Sequence, residues 1–154
     1  MIKPLNSKFR GIRRKRDLGF LKLLGRGSYT SASTLHLDQT AIFSQWMHRE
    51  NIILNYASWK NGSTEGEVDM LQLDPKKLKP AWCVEIKWSN RYVEKPGTLK
   101  SLLQFCEKNK MSSALITTID KHEDVRHKEI QLLFVPAAAY AYLVGMRTLQ
   151  QKQS

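Results

Sequence analysis

The chain lacks what would mark it as a secreted, disulfide-held or membrane protein. Of its 154 residues two are cysteine. Cys83 and Cys106 stand in apolar stretches with no CxxC spacing, so they read as buried free thiols rather than a disulfide or a zinc site. No apolar run approaches the roughly 18 residues of a membrane span. The opening stretch "MIKPLNSKFRGIRRKRDLGFLKLLG" has no apolar run followed by a small-residue cleavage site. The expectation is a cytoplasmic protein without membrane contact. GxxxxGK[ST] does not occur, and the Gly-x-Gly of "GRGSYTSAST" is too little to cradle phosphate, so that stretch reads as a loop and no ATP hydrolysis is expected. Ser28, Ser31 and Ser33 have no His/Asp partners that would suggest a hydrolase triad.

Acidic residues are also scarce: 14 Asp+Glu face 25 Lys+Arg, a formal net charge of +11. The excess gathers in residues 1 to 30, where Lys3, Lys8, Arg10, Arg13, Arg14, Lys15, Arg16, Lys22 and Arg26 meet the single acid Asp17. Such a cluster attracts phosphate backbones by counterion release, without reading sequence. A solvated tail or a docking segment accounts for it equally well, since no nucleic-acid-binding module accompanies it.

What the chain does contain is a succession of periodic segments filling about one domain. Residues 17 to 25 suggest a short helix closed by Gly25. "DQTAIFSQWMHRE" from Asp38 to Glu50 aligns Ala41, Ile42, Gln45, Trp46 and Arg49 on a helical face, with Asp38 as N-cap. Three strands follow, at 51–58, 67–73 and 81–88, joined by turn chemistry at Asn61-Gly62 and Asp74-Pro75. They predict an antiparallel meander. "PGTLKSLLQFCEKN" spaces Leu99, Leu102, Leu103 and Cys106 as one helical face, and "SALITTI" after it is a buried strand reached by a parallel crossover. "EIQLLFVP" and "AAAYAYLVGM" predict a last strand and a closing helix, then a polar frayed tail. His122 and His127, four residues intervening, miss helical metal-pair spacing and read as part of a solvated loop. His36 and His48 read as surface histidines, with His36 near the site proposed below. Trp46, Trp59, Trp82 and Trp88 are read as core and sheet-face residues rather than base-stacking platforms.

One strand poses a chemical question. In "WCVEIKW" side chains alternate faces, so Trp82, Val84, Ile86 and Trp88 share the core side while Cys83, Glu85 and Lys87 share the other. In "EVDML" the same rule puts Val68 and Met70 on one face and Glu67 and Asp69 on the other. If both apolar faces meet one helix layer, Asp69, Glu85 and Lys87 converge. Two carboxylates and an ammonium on adjacent strands suit metal-assisted phosphodiester hydrolysis: Asp69 and Glu85 would hold Mg²⁺ or Mn²⁺ and Lys87 would act as the catalytic lysine. A solvent-facing Glu/Lys pair on a half-exposed sheet gives the same pattern.

"EVDML" followed by "VEIKWSN" resembles the PD-(D/E)xK nuclease-like superfamily. More closely, it is similar to the C-terminal domain that follows the P-loop module in a family of prokaryotic ATPases. "TAIFSQW", "TLKSLLQFCEKNK", "SALITTI" and "FVPAAAYAYLVG" fit the same domain, so the resemblance covers about residues 35 to 146. It implies a mixed α/β sheet with a restriction-endonuclease-like α-β-β-β-α-β core, a further C-terminal strand and helix, a basic segment over 1–34 and a polar tail over 147–154. It also implies a nuclease-like activity on nucleic acid, with DNA ahead of RNA, and a homodimer or an ATPase as partner. Where the family places a glycine and a metal-facing glutamate in the first helix, this chain has Leu35 and Gln39. Asp38 is next to Gln39, but one helical residue turns a side chain by about 100°. Glu67, Gln39, Asp38 and Ser89 are therefore second-rank candidates for the pocket, and Arg10, Arg13, Arg14, Lys15 and Arg16 are candidate nucleic-acid contacts. The departure keeps two rivals in play: a nuclease fold used only as a binding module, and a remnant of a larger ATPase.

Overall fold

The computed structural model describes residues 2–4, 31–49, 52–61 and 64–152. The expected helix at 17–25, the basic run Arg10 to Arg16 and Ser28 lie outside the described residues. In chain order the elements are β1 (Ile2–Pro4), α1 (Ser31–Met47), β2 (Asn55–Asn61), β3 (Thr64–Leu73), β4 (Pro80–Glu85), α2 (Arg91–Glu94), a 3-10 turn (Pro96–Thr98), α3 (Lys100–Asn109), β5 (Ser113–Thr118), β6 (Glu123–His127), β7 (Ile130–Pro136) and α4 (Ala137–Lys152). The strands form one mixed sheet in the order β1-β2-β3-β4-β5-β7-β6. β2, β3 and β4 make the antiparallel meander, while β4 with β5 and β5 with β7 are parallel pairs.

Helices cover both faces. On one side α3 presents Leu102, Leu103, Phe105 and Cys106 to Ala57, Leu71, Cys83, Ile116, Leu132 and Phe134. On the other, α1 and α4 bring Ile42, Phe43, Trp46, Tyr140 and Val144 onto Met70, Val84, Ile86 and Val135. The two-sided cover explains why β5 and β7 are nearly continuous apolar runs, as buried parallel strands are. α3 ends where Lys110 turns left-handed at φ 56°, its N–H meeting the last helical carbonyls. This stop lets the chain enter β5 beside β4.

Several boundaries differ from the sequence expectation. α1 begins at Ser31, so Asp38 lies inside the helix instead of capping it; residues 31–38 contain no Gly or Pro to stop a helix. This also replaces part of the expected loop "GRGSYTSAST". β2 starts at Asn55, while Ile52 and Leu54 pack on the α1/α4 core ahead of the strand. β4 stops at Glu85, and Trp88, beyond its end, is exposed rather than core. The expected solvated loop around His122 and His127 contains β6, an edge strand paired with β7, whose charged, exposed side chains hid its pairing. α4 runs through the expected frayed tail to Lys152, with Thr148 buried and bonded back to the Val144 carbonyl at 2.8 Å.

One irregularity matters most for the site. Asn55 pairs with Leu71 and Ala57 with Val68, so two steps on β2 match three on β3. That extra residue is a β-bulge, which kinks the strand and re-aims side chains. Val68 accordingly packs on the α3 side and Met70 on the α1/α4 side. The expectation that these two share a face is corrected: strict alternation fails across the bulge, and Asp69 sits within it.

Candidate active site

Asp69 is brought to the end of β4 by the bulge and by the meander. Met70 pairs with Val84, so Asp69 stands next to the point where β4 gives out. There its Oδ2 accepts the Ile86 N–H at 2.8 Å, and its Oδ1 accepts from Gln39 Nε2 of α1 at 3.3 Å. A carboxylate thus replaces a strand carbonyl as partner for Ile86, and it is only 8% exposed. Gln39, a second-rank candidate from sequence, does reach the site.

Glu85 is the last residue of β4 and lies on the same side as Cys83. It is buried, and one oxygen, Oε1, pairs with Lys87 Nζ at 2.7 Å. The other, Oε2, is buried with no hydrogen-bond partner among the described residues. Leaving a carboxylate oxygen dry costs free energy. Burial first, and then the charge of Asp69, push the Glu85 carboxyl up to about 7, although Lys87 pulls it down. For Lys87 burial works against the ammonium, but the Glu85 charge and hydrogen bond outweigh it and hold its pKa above the usual lysine value. Asp69, Glu85 and Lys87 therefore form one coupled electrostatic unit.

Lys87 lies past the last ladder pairs between β4 and β5, Val84 with Leu115 and Glu85 with Ile116. Its backbone is nonetheless tied to β5: the Lys87 N–H donates to Thr117 Oγ1 at 2.8 Å, and Thr117 Oγ1 donates to the Lys87 carbonyl at 2.9 Å. Asn90 continues the attachment, its Oδ1 accepting the Ile119 N–H at 3.1 Å and its Nδ2 donating to Asp120 Oδ1 at 2.6 Å. Neither Thr117 nor Asn90 was singled out from sequence. The only signal was polar Thr117-Thr118 at the end of an apolar strand; both are buried.

The other candidates fall differently. Glu67 is exposed on β3, paired in register with Ser58. Ser89 accepts the Arg91 N–H at 3.3 Å, closing the turn into α2. The Asp38 and His36 side chains, like the run Arg10 to Arg16, lie outside what is described. Trp46 and Trp82 stack at 5.1 Å in the α1/α4 core, and Trp59 stacks on Phe105 at 6.2 Å, as core residues should. Cys83 and Cys106 are buried and free, their sulfurs 3.9 Å apart between β4 and α3.

Hard oxygen donors at a buried, desolvated spot suit a divalent cation. Glu85 Oε2 offers an unused acceptor beside the Asp69 carboxylate, so hard oxygen atoms of two side chains lie close together. Among the described residues no group of three His, Cys, Asp or Glu side chains is placed to hold a metal ion. Two carboxylates are a sufficient protein contribution for Mg²⁺, which keeps several waters. No family model matches the chain, and no curated protein and no solved structure matches it.

Proposed function

We propose that this chain is a PD-(D/E)xK nuclease-like domain that hydrolyses phosphodiester bonds, with Asp69 and Glu85 as ligands for Mg²⁺ or Mn²⁺ and Lys87 as the catalytic lysine. The observation that carries the reading is Glu85: buried, raised to about 7, paired with Lys87 through one oxygen and left without a hydrogen bond on the other. The order α1, β2, β3, β4, α3, β5 supports a restriction-endonuclease-like core. When bound, the cation would supply Lewis acidity and lower the pKa of a bound water.

The chain's own groups do the rest. Glu85 would have to be ionised to hold a cation, so its raised pKa would link holding one to loss of a proton below pH 7. Asp69, anchored by Ile86 N–H, holds its oxygens at a fixed place on a rigid element. Lys87 remains an ammonium near neutral pH, suited to orient the attacking water or to neutralise charge on the phosphate, rather than to act as a base. The net charge of +11 favours nucleic acid as substrate, and the resemblance puts DNA ahead of RNA. A second copy of the chain or an ATPase is the proposed protein partner.

A second reading draws on Gln39. Its amide donates to Asp69 Oδ1 while Ile86 N–H takes Oδ2, so each oxygen of Asp69 already has a hydrogen-bond donor. Such a network suits a nuclease fold retained to bind nucleic acid or a protein. Cleavage decides between them: with Mn²⁺, the wild type should nick plasmid DNA or degrade a labelled RNA, and Lys87→Ala should bind the same substrate without cutting. A wild type that binds but leaves both substrates whole at millimolar Mn²⁺ selects the second reading.

A further inference from the structure

We propose that Thr117 is a positioning residue for Lys87, its hydroxyl replacing the missing β4–β5 ladder and fixing where the ammonium sits. The inference rests on the nuclease reading for its catalytic consequence, and on geometry alone for the clamp. Regular pairing of β4 with β5 ends at Glu85 and Ile116. Two residues later the chain must still hold Lys87 within 2.7 Å of Glu85. A free strand end would not do this, because each unfixed residue samples many backbone states.

Thr117 removes that freedom with a single atom. Oγ1 accepts from the Lys87 N–H at 2.8 Å and donates to the Lys87 carbonyl at 2.9 Å, so both backbone groups of one residue are held by one hydroxyl. The side chain is fully buried at 0% exposure, so water cannot stand in for it. β-branching restricts its rotamer, which keeps the hydroxyl aimed. Asn90 fastens the far end of the same loop to Ile119 and Asp120, which leaves Lys87 suspended between two side-chain attachments. An aliphatic residue of the same size would fill the space and take the partner from both backbone groups of Lys87.

The variants are Thr117→Val, which keeps shape and loses the hydroxyl, and Thr117→Ser, which keeps the hydroxyl. Backbone hydrogen exchange read by NMR should show the Lys87 amide protected in wild type and Ser, and exchanging at least tenfold faster in Val. In the Mn²⁺-dependent cleavage assay kcat should fall on the order of 10- to 100-fold in Val, the penalty of a misplaced catalytic group. KM should stay nearly unchanged and Ser should restore kcat. A merely structural threonine would lower the melting temperature while leaving kcat intact, and that result overturns the proposal. So does a wild-type Lys87 amide that exchanges like an open loop, a measurement that needs no folded Val variant. If the wild type cuts nothing, the nuclease reading fails by itself, and the exchange data alone still decide the clamp.

Discussion

Glu85 concentrates the chemistry of the molecule in one side chain. Its ordinary pKa of 4.5 is pushed up to about 7 by burial and by the neighbouring Asp69 charge. The folded state therefore holds this proton more tightly than the unfolded chain does. The stability this contributes is complete below pH 4.5 and is lost as pH rises to about 7. Glu85→Gln, neutral at every pH, should flatten that slope, removing a loss of roughly 2–3 kcal/mol between pH 4.5 and 7.5. Urea unfolding of both proteins across that range checks it. Lys87 makes the complementary case. Lys87→Met leaves Glu85 without its counter-charge, so it should destabilise by about 2 kcal/mol at pH 8 and much less at pH 5, where Glu85 is protonated. Equal losses at both pH values would mean that the ion pair is incidental. The three residues do lie together, although strict alternation, the ground for expecting their convergence, fails at the bulge that holds Asp69. Sequence missed Thr117, because a threonine in a strand is unremarkable until the ladder beside it ends.

Elements were legible wherever a single period ran unbroken. The meander and the α3 crossover follow from turn chemistry and strand spacing, and the face of Leu102, Leu103 and Cys106 from helical spacing, since α3 buries that one face. Where two signals compete, spacing failed. The bulge at Asp69 breaks the alternation of β3, and no residue in "EVDML" announces it. β6 carries mostly charged residues because it is an edge, so it reads as loop. Gly66 offers an element-level test. A Cβ built there would collide with the Trp59 ring, which is itself stacked on Phe105. Gly66→Ala must push that ring off its partner and should cost about 1–3 kcal/mol. Thermal unfolding should show the drop, and an unchanged midpoint would mean that the Trp59 stack gives way freely.

At the scale of the whole molecule, a sheet covered on both faces leaves its chemistry at the strand ends. Asp69, Glu85 and Lys87 lie where β4 stops and the chain turns toward α2, outside both cores. Cys83, two residues upstream on the same strand, belongs to the α3 core instead. Its hydrogen bond to Cys106 and its burial push that thiol up. The same hydrogen bond lowers the Cys106 thiol, but both sulfurs are buried, so native protein should resist iodoacetamide at both cysteines, whereas the unfolded chain should take up two equivalents, a contrast that mass spectrometry reads directly. Fast native labelling would contradict the packing of β4 on α3. The charge of +11 and the run Arg13 to Arg16 make a separate prediction. On the nucleic-acid reading DNA affinity should fall steeply with salt, and replacing Arg13, Arg14, Lys15 and Arg16 by Gln should flatten the log–log slope by about 3.6. An unchanged slope assigns that run to another role.

Calorimetric titration with Mn²⁺ is the direct test of the proposed cation site at Asp69 and Glu85. The expected result is one ion per chain, an affinity that rises with pH up to about 7 as Glu85 loses its proton, and loss of binding in Asp69→Asn. Absence of binding at millimolar Mn²⁺ above pH 7, or binding that survives in Asp69→Asn, would contradict it.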